Sequence, residues 1–176
     1  FFAAAALMQA VMPLMRKQRS GRIVNISSVA GRFGYPLFGW YCASKHALEA
    51  LSDSLRLEGR PWGVRVSLIE PGPVETEFFD VTKSRAQGQI NDTRSPYAPF
   101  FKHVEEIERE MMRRAATAGR VAEFVLKACL ARRPRDRYAV STMAKGTVLA
   151  LRLLPRAWVD ALASRQFRVP RPEELG

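Results

Sequence analysis

The sequence predicts an α/β fold built on a parallel sheet, and three observations support this prediction. Residues 22–26 and 64–69 are short, mostly β-branched apolar runs bounded by Gly, Ser and Pro, which is typical of buried strands. Between them, in residues 40–59, apolar side chains recur at helical spacing up to Gly59. A strand, a helix and a second strand in this order form a βαβ unit, whose two strands run parallel with a right-handed crossover.

The other elements are predicted from composition and periodicity. Residues 3–18 are rich in strong helix formers, and Pro13 predicts a kink or a late break in that helix. Later patterns predict three more helices and a third short strand, with a break at Pro155 in the last helix: helices 103–115, 119–132 and 145–165, and strand 137–140.

Two segments lack a regular pattern. Residues 77–103 hold many turn formers and aromatic rings, which predicts a long loop that covers a substrate; the plainer interpretation is a surface loop that packs a few rings. The Pro-rich end, residues 166–176, is predicted to be a frayed tail.

Length and cysteine content narrow the class of protein. A chain of 176 residues with 47% hydrophobic residues favours one domain with a real core. Cys42 and Cys129 have no paired spacing, so the sequence predicts neither a metal site nor a disulfide framework. Cysteines of this kind make a reduced, cytoplasmic location the default expectation.

The basic charge lies mainly in the last third of the chain. The net charge is +11, and residues 111–176 carry 14 Lys and Arg against 5 Asp and Glu. Such an excess attracts nucleic acid or an anionic membrane surface. The cations are scattered among apolar residues without a nucleic-acid-binding motif, which favours a solvated surface. No nucleic-acid partner is predicted, and membrane association is kept as the minor alternative.

Polar residues follow both predicted strands at the edge where a parallel sheet places its ligands. Ser28 follows the first strand, and Pro71 and Gly72 follow the second. Tyr41 and Lys45 lie four positions apart at the start of the helix between the strands, so they share one helix face.

This constellation suits proton transfer at an alcohol or carbonyl oxygen. A phenol with a pKa of about 10 is a poor base near neutrality, but a nearby ammonium lowers that pKa. Tyr41 could then exchange a proton with the oxygen while Ser28 holds it by a hydrogen bond. The alternative without catalysis is an ordinary helix face with a solvated Lys45. A Tyr-x-x-x-Lys pair is expected by chance about 0.14 times in a chain of this composition, so the pair alone is a weak signal.

The stretch GRIVNISSVAGRFGYPLFGWYCASKHALEALSDSLRLE resembles the catalytic region of the short-chain dehydrogenases/reductases, and PGPVETEF resembles the Pro-Gly segment of that family. The resemblance is strong over residues 1–80 and looser to about residue 165. It implies a Rossmann-like, doubly wound parallel sheet with helices on both faces. The members that look most similar act on retinols, steroids and related lipid-like alcohols.

The resemblance also implies a role for each matching residue. Tyr41 would be the catalytic acid/base, Lys45 would lower its pKa, and Ser28, rather than Ser27, would hold the substrate oxygen. A small-molecule alcohol or carbonyl substrate would lie under Phe78, Phe79 and the loop that follows. The protein would be a homodimer or homotetramer. NAD or NADP would be the cofactor, with its nicotinamide end at Tyr41, Lys45, Pro71, Gly72, Val74 and Thr76.

The first part of the family pattern is not found in this sequence. No G-x-x-x-G-x-G turn follows a first strand, and no residue is present that would select NAD from NADP. We therefore expect residues 1–176 to form one incomplete domain that lacks the N-terminal βαβ units and is inactive by itself. Two hypotheses remain: an NAD(P)-dependent oxidoreductase in its full-length form, or a catalytically incompetent fragment or non-catalytic Rossmann-like module that binds or regulates.

Overall fold

The computed structural model describes residues 1–175, and its centre is a parallel sheet. The described residues form five strands: β1 (Gly21–Ile26), β2 (Val64–Glu70), β3 (Val74–Glu75), β4 (Ala116–Thr117) and β5 (Arg137–Ala139). Strands β1, β2 and β5 form one sheet in the order β1-β2-β5, and all their pairings are parallel. Strands β3 and β4 form a separate parallel pair. The predicted βαβ unit and the third strand are confirmed.

Helices pack against both faces of the sheet. They are α1 (Phe2–Gln18), α2 (Gly39–Gly59), α3 (Phe78–Ile90), α4 (Ala98–Phe101), α5 (Val104–Met112), α6 (Ala118–Leu130), α7 (Thr142–Leu153) and α8 (Arg156–Gln166). Side chains of α1 and α2 form one buried cluster with the sheet: Met8, Met12, Ile23, Leu48, Val64 and Val66. A second cluster lies on the α6 side: Ile69, Ala116, Ala128, Tyr138 and Val140. This arrangement confirms the predicted α/β class.

Helix α1 passes through Pro13 without a break, so the predicted late break is wrong. Pro13 removes the hydrogen bond to the Gln9 carbonyl, but both residues are exposed, so water can satisfy that carbonyl. The helix ends instead at Arg19, which adopts a left-handed conformation with φ of 53°. In the second half of the chain, the predicted break at Pro155 is confirmed, because α7 ends before it and α8 begins after it.

The prediction of a long irregular loop over residues 77–103 is wrong, because much of the segment is helical in α3 and α4. The sequence of helix α3 carries no clear apolar stripe, and accordingly the helix buries no residue fully. Tertiary contacts hold it instead. The Lys83 ammonium lies 2.7 Å from a carboxylate oxygen of Glu108 on α5.

The predicted frayed tail is wrong for the residues that follow α8. Phe167 is buried, and its ring stacks on Tyr35 with the centroids 4.7 Å apart and the planes at 10°. The Arg168 guanidinium pairs with Glu106 and, at 3.0 Å, with Glu110, both on α5. These contacts anchor the end of the chain beside the loop after β1. None of the described helices has the length and apolar character needed to cross a bilayer.

Candidate active site

The carboxyl ends of β1 and β2 lie side by side and carry Ser28 next to Pro71. The Ser27 amide donates to the Ile69 carbonyl at 2.8 Å, and the Val29 amide donates to the Pro71 carbonyl at 3.0 Å. Ser28 is buried. Its hydroxyl accepts from the Ala30 amide at 3.1 Å and lies 3.4 Å from the Pro71 carbonyl. The backbone ladder therefore fixes the position of this hydroxyl.

The first turns of α2 bring Tyr41 and Lys45 to the same edge. The Lys45 ammonium lies 5.8 Å from the centroid of the Tyr41 ring and donates to the carbonyl of Ile26, the last residue of β1, at 2.9 Å. Both side chains are half-buried. The structure thus places them as neighbours, as the four-residue spacing predicts. An ammonium has three donors, so Lys45 keeps further donors for a ligand.

The expected direction of the Tyr41 pKa is not found. Burial raises the pKa of the Tyr41 phenol, and the hydrogen bond from Ser28 only partly opposes this. Burial also lowers the pKa of the Lys45 ammonium, while the charge of Glu49 opposes that change. The pKa of Tyr41 thus shifts upward rather than in the predicted downward direction, because the loss of hydration outweighs the hydrogen bond from Ser28.

A cavity of about 960 Å³ joins all the predicted site residues. Its lining includes Ser28, Tyr41, Lys45, Pro71, Gly72, Val74 and Thr76. Sequence reasoning missed a second set of lining residues, which come from α5, α7 and α8: Ile107, Met111, Met143, Leu151, Val159 and Leu162. Their only signal in the sequence is the apolar periodicity of those helices, which equally fits an internal core.

Aromatic rings form one wall of the cavity beside Tyr41. The Phe78 ring lies 5.2 Å from the Tyr41 ring, and the Phe79 ring lies 6.3 Å from that of Phe38. Tyr35 extends the wall toward the end of the chain through its stack on Phe167. Phe78 thus lies next to the candidate acid/base, and Phe79 packs against Phe78. The sequence did not indicate the contribution of Tyr35 and Phe167.

The residues after β2 leave polar groups available to a ligand in the cavity. Thr76 is exposed in the cavity, and its hydroxyl has one weak contact, 3.5 Å from the Val74 carbonyl. A Cβ atom at Gly72 would lie 2.9 Å from Met143 Cε, so a larger residue would require the end of the Met143 side chain to move. The available donors, Lys45 and Thr76, suit the hydroxyl and amide groups of such a ligand.

A buried charge cluster lies directly behind the site. Glu49 of α2 and Glu70 of β2 are both almost fully buried, and the Arg137 Nε atom lies 3.1 Å from the first carboxylate and 3.3 Å from the second. Arg32, in the loop after Ser28, lies 3.4 Å from Glu70. The cluster joins the two segments that carry Ser28 and Pro71.

Comparison with known proteins identifies the family. The sequence model of the short chain dehydrogenase family matches residues 1–87. A probable short-chain type dehydrogenase/reductase, VdlC of Helicobacter pylori, is 35% identical over 164 residues, which cover 92% of this chain and 58% of that protein. Retinol dehydrogenase 16 of Rattus norvegicus is 33% identical over 174 residues, which cover 93% and 53%.

The fold agrees with the sequence match. A short chain dehydrogenase from Burkholderia cenocepacia, solved in complex with NADP, superposes with a TM-score of 0.64 at 22% identity over 94% of this chain and 55% of that one. The chain thus spans little more than half the length of the proteins it matches. Sequence and fold agree, and the chain belongs to the short-chain dehydrogenase/reductase family.

Proposed function

We propose that the full-length protein is an NAD(P)-dependent oxidoreductase that interconverts an alcohol and a carbonyl compound. The observation that carries this proposal is the meeting of Ser28, Tyr41 and Lys45 in one cavity with the segment after β2. Ser28 follows β1, whereas Tyr41 and Lys45 belong to α2, so the four-residue spacing on one helix face does not by itself account for the meeting of all three. The segment after β2 supplies the place for the cofactor.

Tyr41 is the proposed acid/base at the substrate oxygen. Because burial raises its pKa, the phenol stays protonated near neutral pH and is ready to donate a proton to a carbonyl oxygen. In the reverse direction, the phenolate oxygen of Tyr41 would accept the proton of the alcohol. Ser28, whose hydroxyl is held in place by the Ala30 amide, would donate a hydrogen bond to that substrate oxygen.

Lys45 is proposed to orient the cofactor and the phenol. Its ammonium is fixed on the Ile26 carbonyl and has donors left for the ribose hydroxyls. A nicotinamide cofactor, when bound, would supply or accept the hydride. Its nicotinamide end would lie on Tyr41, Lys45, Pro71, Gly72, Val74 and Thr76. The related Burkholderia structure contains NADP, and both NAD and NADP remain candidates here.

The proposed substrate is apolar and lipid-like. Aromatic and aliphatic side chains form most of the cavity wall, and its volume of about 960 Å³ is at the upper end for small-molecule sites. Few polar groups lie beside Tyr41 to orient the reacting oxygen. The similarity to a retinol dehydrogenase supports the same class of substrate.

The chain offers matched controls for the catalytic test. In the full-length protein, Tyr41→Phe should lower turnover by about 10²–10⁴-fold while NAD(P)H binding, followed by fluorescence, is retained. Tyr35→Phe removes a hydroxyl from the same cavity and should leave most of the activity. Similarly, Ser28→Ala should lower kcat, whereas Ser27→Ala should not.

The competing function is a non-catalytic module that binds or regulates. It predicts that a panel of retinols, hydroxysteroids and long-chain alcohols shows no turnover with NAD or NADP, although the dinucleotide binds. Turnover that survives Tyr41→Phe would instead contradict the assigned role of Tyr41. The same panel identifies the cofactor and the substrate. The chain of residues 1–176 by itself is expected to be inactive in this panel.

We further propose a homodimer or homotetramer that packs through α1 and α2. Trp40 at the start of α2 is 93% exposed, and Leu7 and Leu14 of α1 are also exposed. Exposed large apolar side chains of this kind mark protein interfaces. Light scattering of the full-length protein should give a multiple of the monomer mass, and Trp40→Glu should lower it. Both cysteines are unpaired, as expected for the cytoplasmic location that we propose.

A further inference from the structure

Helices α7 and α8 form a hairpin, residues 142–166, with two different faces. Its inner face lines the cavity, with Met143, Leu151 and Val159 among the lining residues. Ala144, at the start of α7, is completely buried. The hairpin is therefore a fixed part of the fold, and its outer face is presented in a defined orientation.

The outer face carries four large apolar side chains that no other part of the described chain covers. Leu149 and Leu153 of α7 are 56% and 68% exposed, and Trp158 and Leu162 of α8 are 66% and 55% exposed. The members of each pair lie four positions apart, so each pair projects from one side of its helix. Trp combines an apolar ring with a polar N–H and is enriched at the interface between membrane and water.

Cations accompany these apolar side chains on the same helix faces. Lys145 and Arg152 lie within four positions of Leu149, and Arg165 lies three positions after Leu162. None of these three cations forms an ion pair with a carboxylate in residues 1–175. Asp160 is the single acidic residue of the hairpin, and Arg156 pairs with it at 3.0 Å.

This combination selects among possible partners. A symmetric contact between two copies would bring the uncompensated cations of both hairpins together, and the protein already carries a net charge of +11. Nucleic acid would satisfy the cations but would leave the leucines against a polar surface. An anionic bilayer satisfies both, because its headgroups attract Lys and Arg while its acyl boundary accepts Leu and Trp.

We propose that the α7–α8 hairpin docks the protein onto the surface of an anionic lipid bilayer. The Leu149, Leu153 and Trp158 side chains enter the acyl boundary, and Lys145, Arg152 and Arg165 contact the lipid phosphates. Leu162 belongs both to this outer face and to the cavity lining. Docking therefore brings the cavity close to the bilayer.

Co-sedimentation with lipid vesicles tests the proposal on the full-length protein. Vesicles of phosphatidylcholine are compared with vesicles in which part of that lipid is replaced by phosphatidylglycerol, at low and at high salt. We expect binding to the anionic vesicles that weakens as salt rises, because salt screens the attraction. Each cation near an anionic surface contributes about fivefold to binding, so Lys145→Gln/Arg152→Gln should lower binding about 25-fold.

Matched variants separate the hairpin from the overall charge and exposure of the protein. Leu153→Ser/Trp158→Ser should abolish binding, whereas Leu57→Ser, at a comparably exposed leucine of α2, should not. Arg65→Gln/Arg94→Gln removes two exposed cations elsewhere and should have little effect. Circular dichroism confirms that each variant is folded.

Three results would overturn the proposal. The first is an absence of binding to the anionic vesicles. The second is binding that Leu153→Ser/Trp158→Ser leaves unchanged. The third is a change of oligomeric mass in that variant without any vesicle binding by the parent protein, which would assign the outer face to a second copy of the chain.

Discussion

Glu70, at the end of β2, offers a test of how the fold accommodates charge beside the site. Its side chain is only 2% exposed, and the second buried carboxylate, Glu49, shares Arg137 with it. Burial, reinforced by the charge of Glu49, raises the pKa of Glu70 from 4.5 to about 7, although Arg32 and Arg137 oppose the change. Glu70→Gln keeps the shape of the side chain and removes its titration.

The difference between these two pKa values sets the expected change in the free energy of unfolding. At about 1.4 kcal/mol for each pH unit, a change from 4.5 to about 7 corresponds to about 3 kcal/mol. The folded state binds the proton more tightly than the unfolded state does. The contribution to stability is therefore complete below pH 4.5 and is lost as the pH rises through about 7. Glutamine does not titrate, so the free energy of unfolding of the variant should rise relative to the parent by about 3 kcal/mol across this range.

Urea unfolding of the full-length parent and variant over a pH series measures this difference. Asp53→Asn is the matched control in the same cluster. Although burial opposes it, the hydrogen bond from Arg137 lowers the pKa of Asp53 below its usual 3.8. The stability from that group is present above pH 3.8 and is lost as the pH falls, so this control should differ from the parent in its pH dependence only in acid. A Glu70→Gln difference that stays constant with pH, or that falls as pH rises, refutes the argument.

Three further predictions use other parts of the site. Gly31→Ala should cost about 1–3 kcal/mol of stability, because the added Cβ atom would lie 2.8 Å from Glu49 Cγ. Gly34→Ala, with open space around the glycine, should cost little. Equal shifts of the melting temperature in the two variants would contradict this prediction. Arg137→Met leaves Arg32 as the remaining ion-pair partner of the two buried carboxylates and should cost about 3–5 kcal/mol in urea unfolding, so an unchanged midpoint would exclude a structural role for the cluster. Because the pKa of Tyr41 is raised, carbonyl reduction should be constant near neutral pH and fall only in strong alkali, while alcohol oxidation should rise with pH; a fall in reduction near pH 7 would argue against this assignment.

The sequence predicts the βαβ unit and the juxtaposition of Tyr41 with Lys45, because both depend on short-range rules. A helix places residues four positions apart on one face, and parallel strands bring their carboxyl ends to one edge. The same rules fail for α3. That helix buries no residue fully and is held by contacts such as the ion pair between Lys83 and Glu108, which are distant in the sequence.

The sequence by itself thus determines the α/β class, the family and the residues that carry the proposed chemistry. Only the tertiary structure decides the shape and the electrostatics around them. Phe167 stacks on Tyr35, although most of the chain separates them in sequence. Arg137 likewise contacts Glu49, which is 88 positions away. The direction of the Tyr41 pKa also depends on this enclosure, because burial outweighs the hydrogen bond from Ser28. Burial is a sum over many distant segments, and no local pattern in the sequence records that sum.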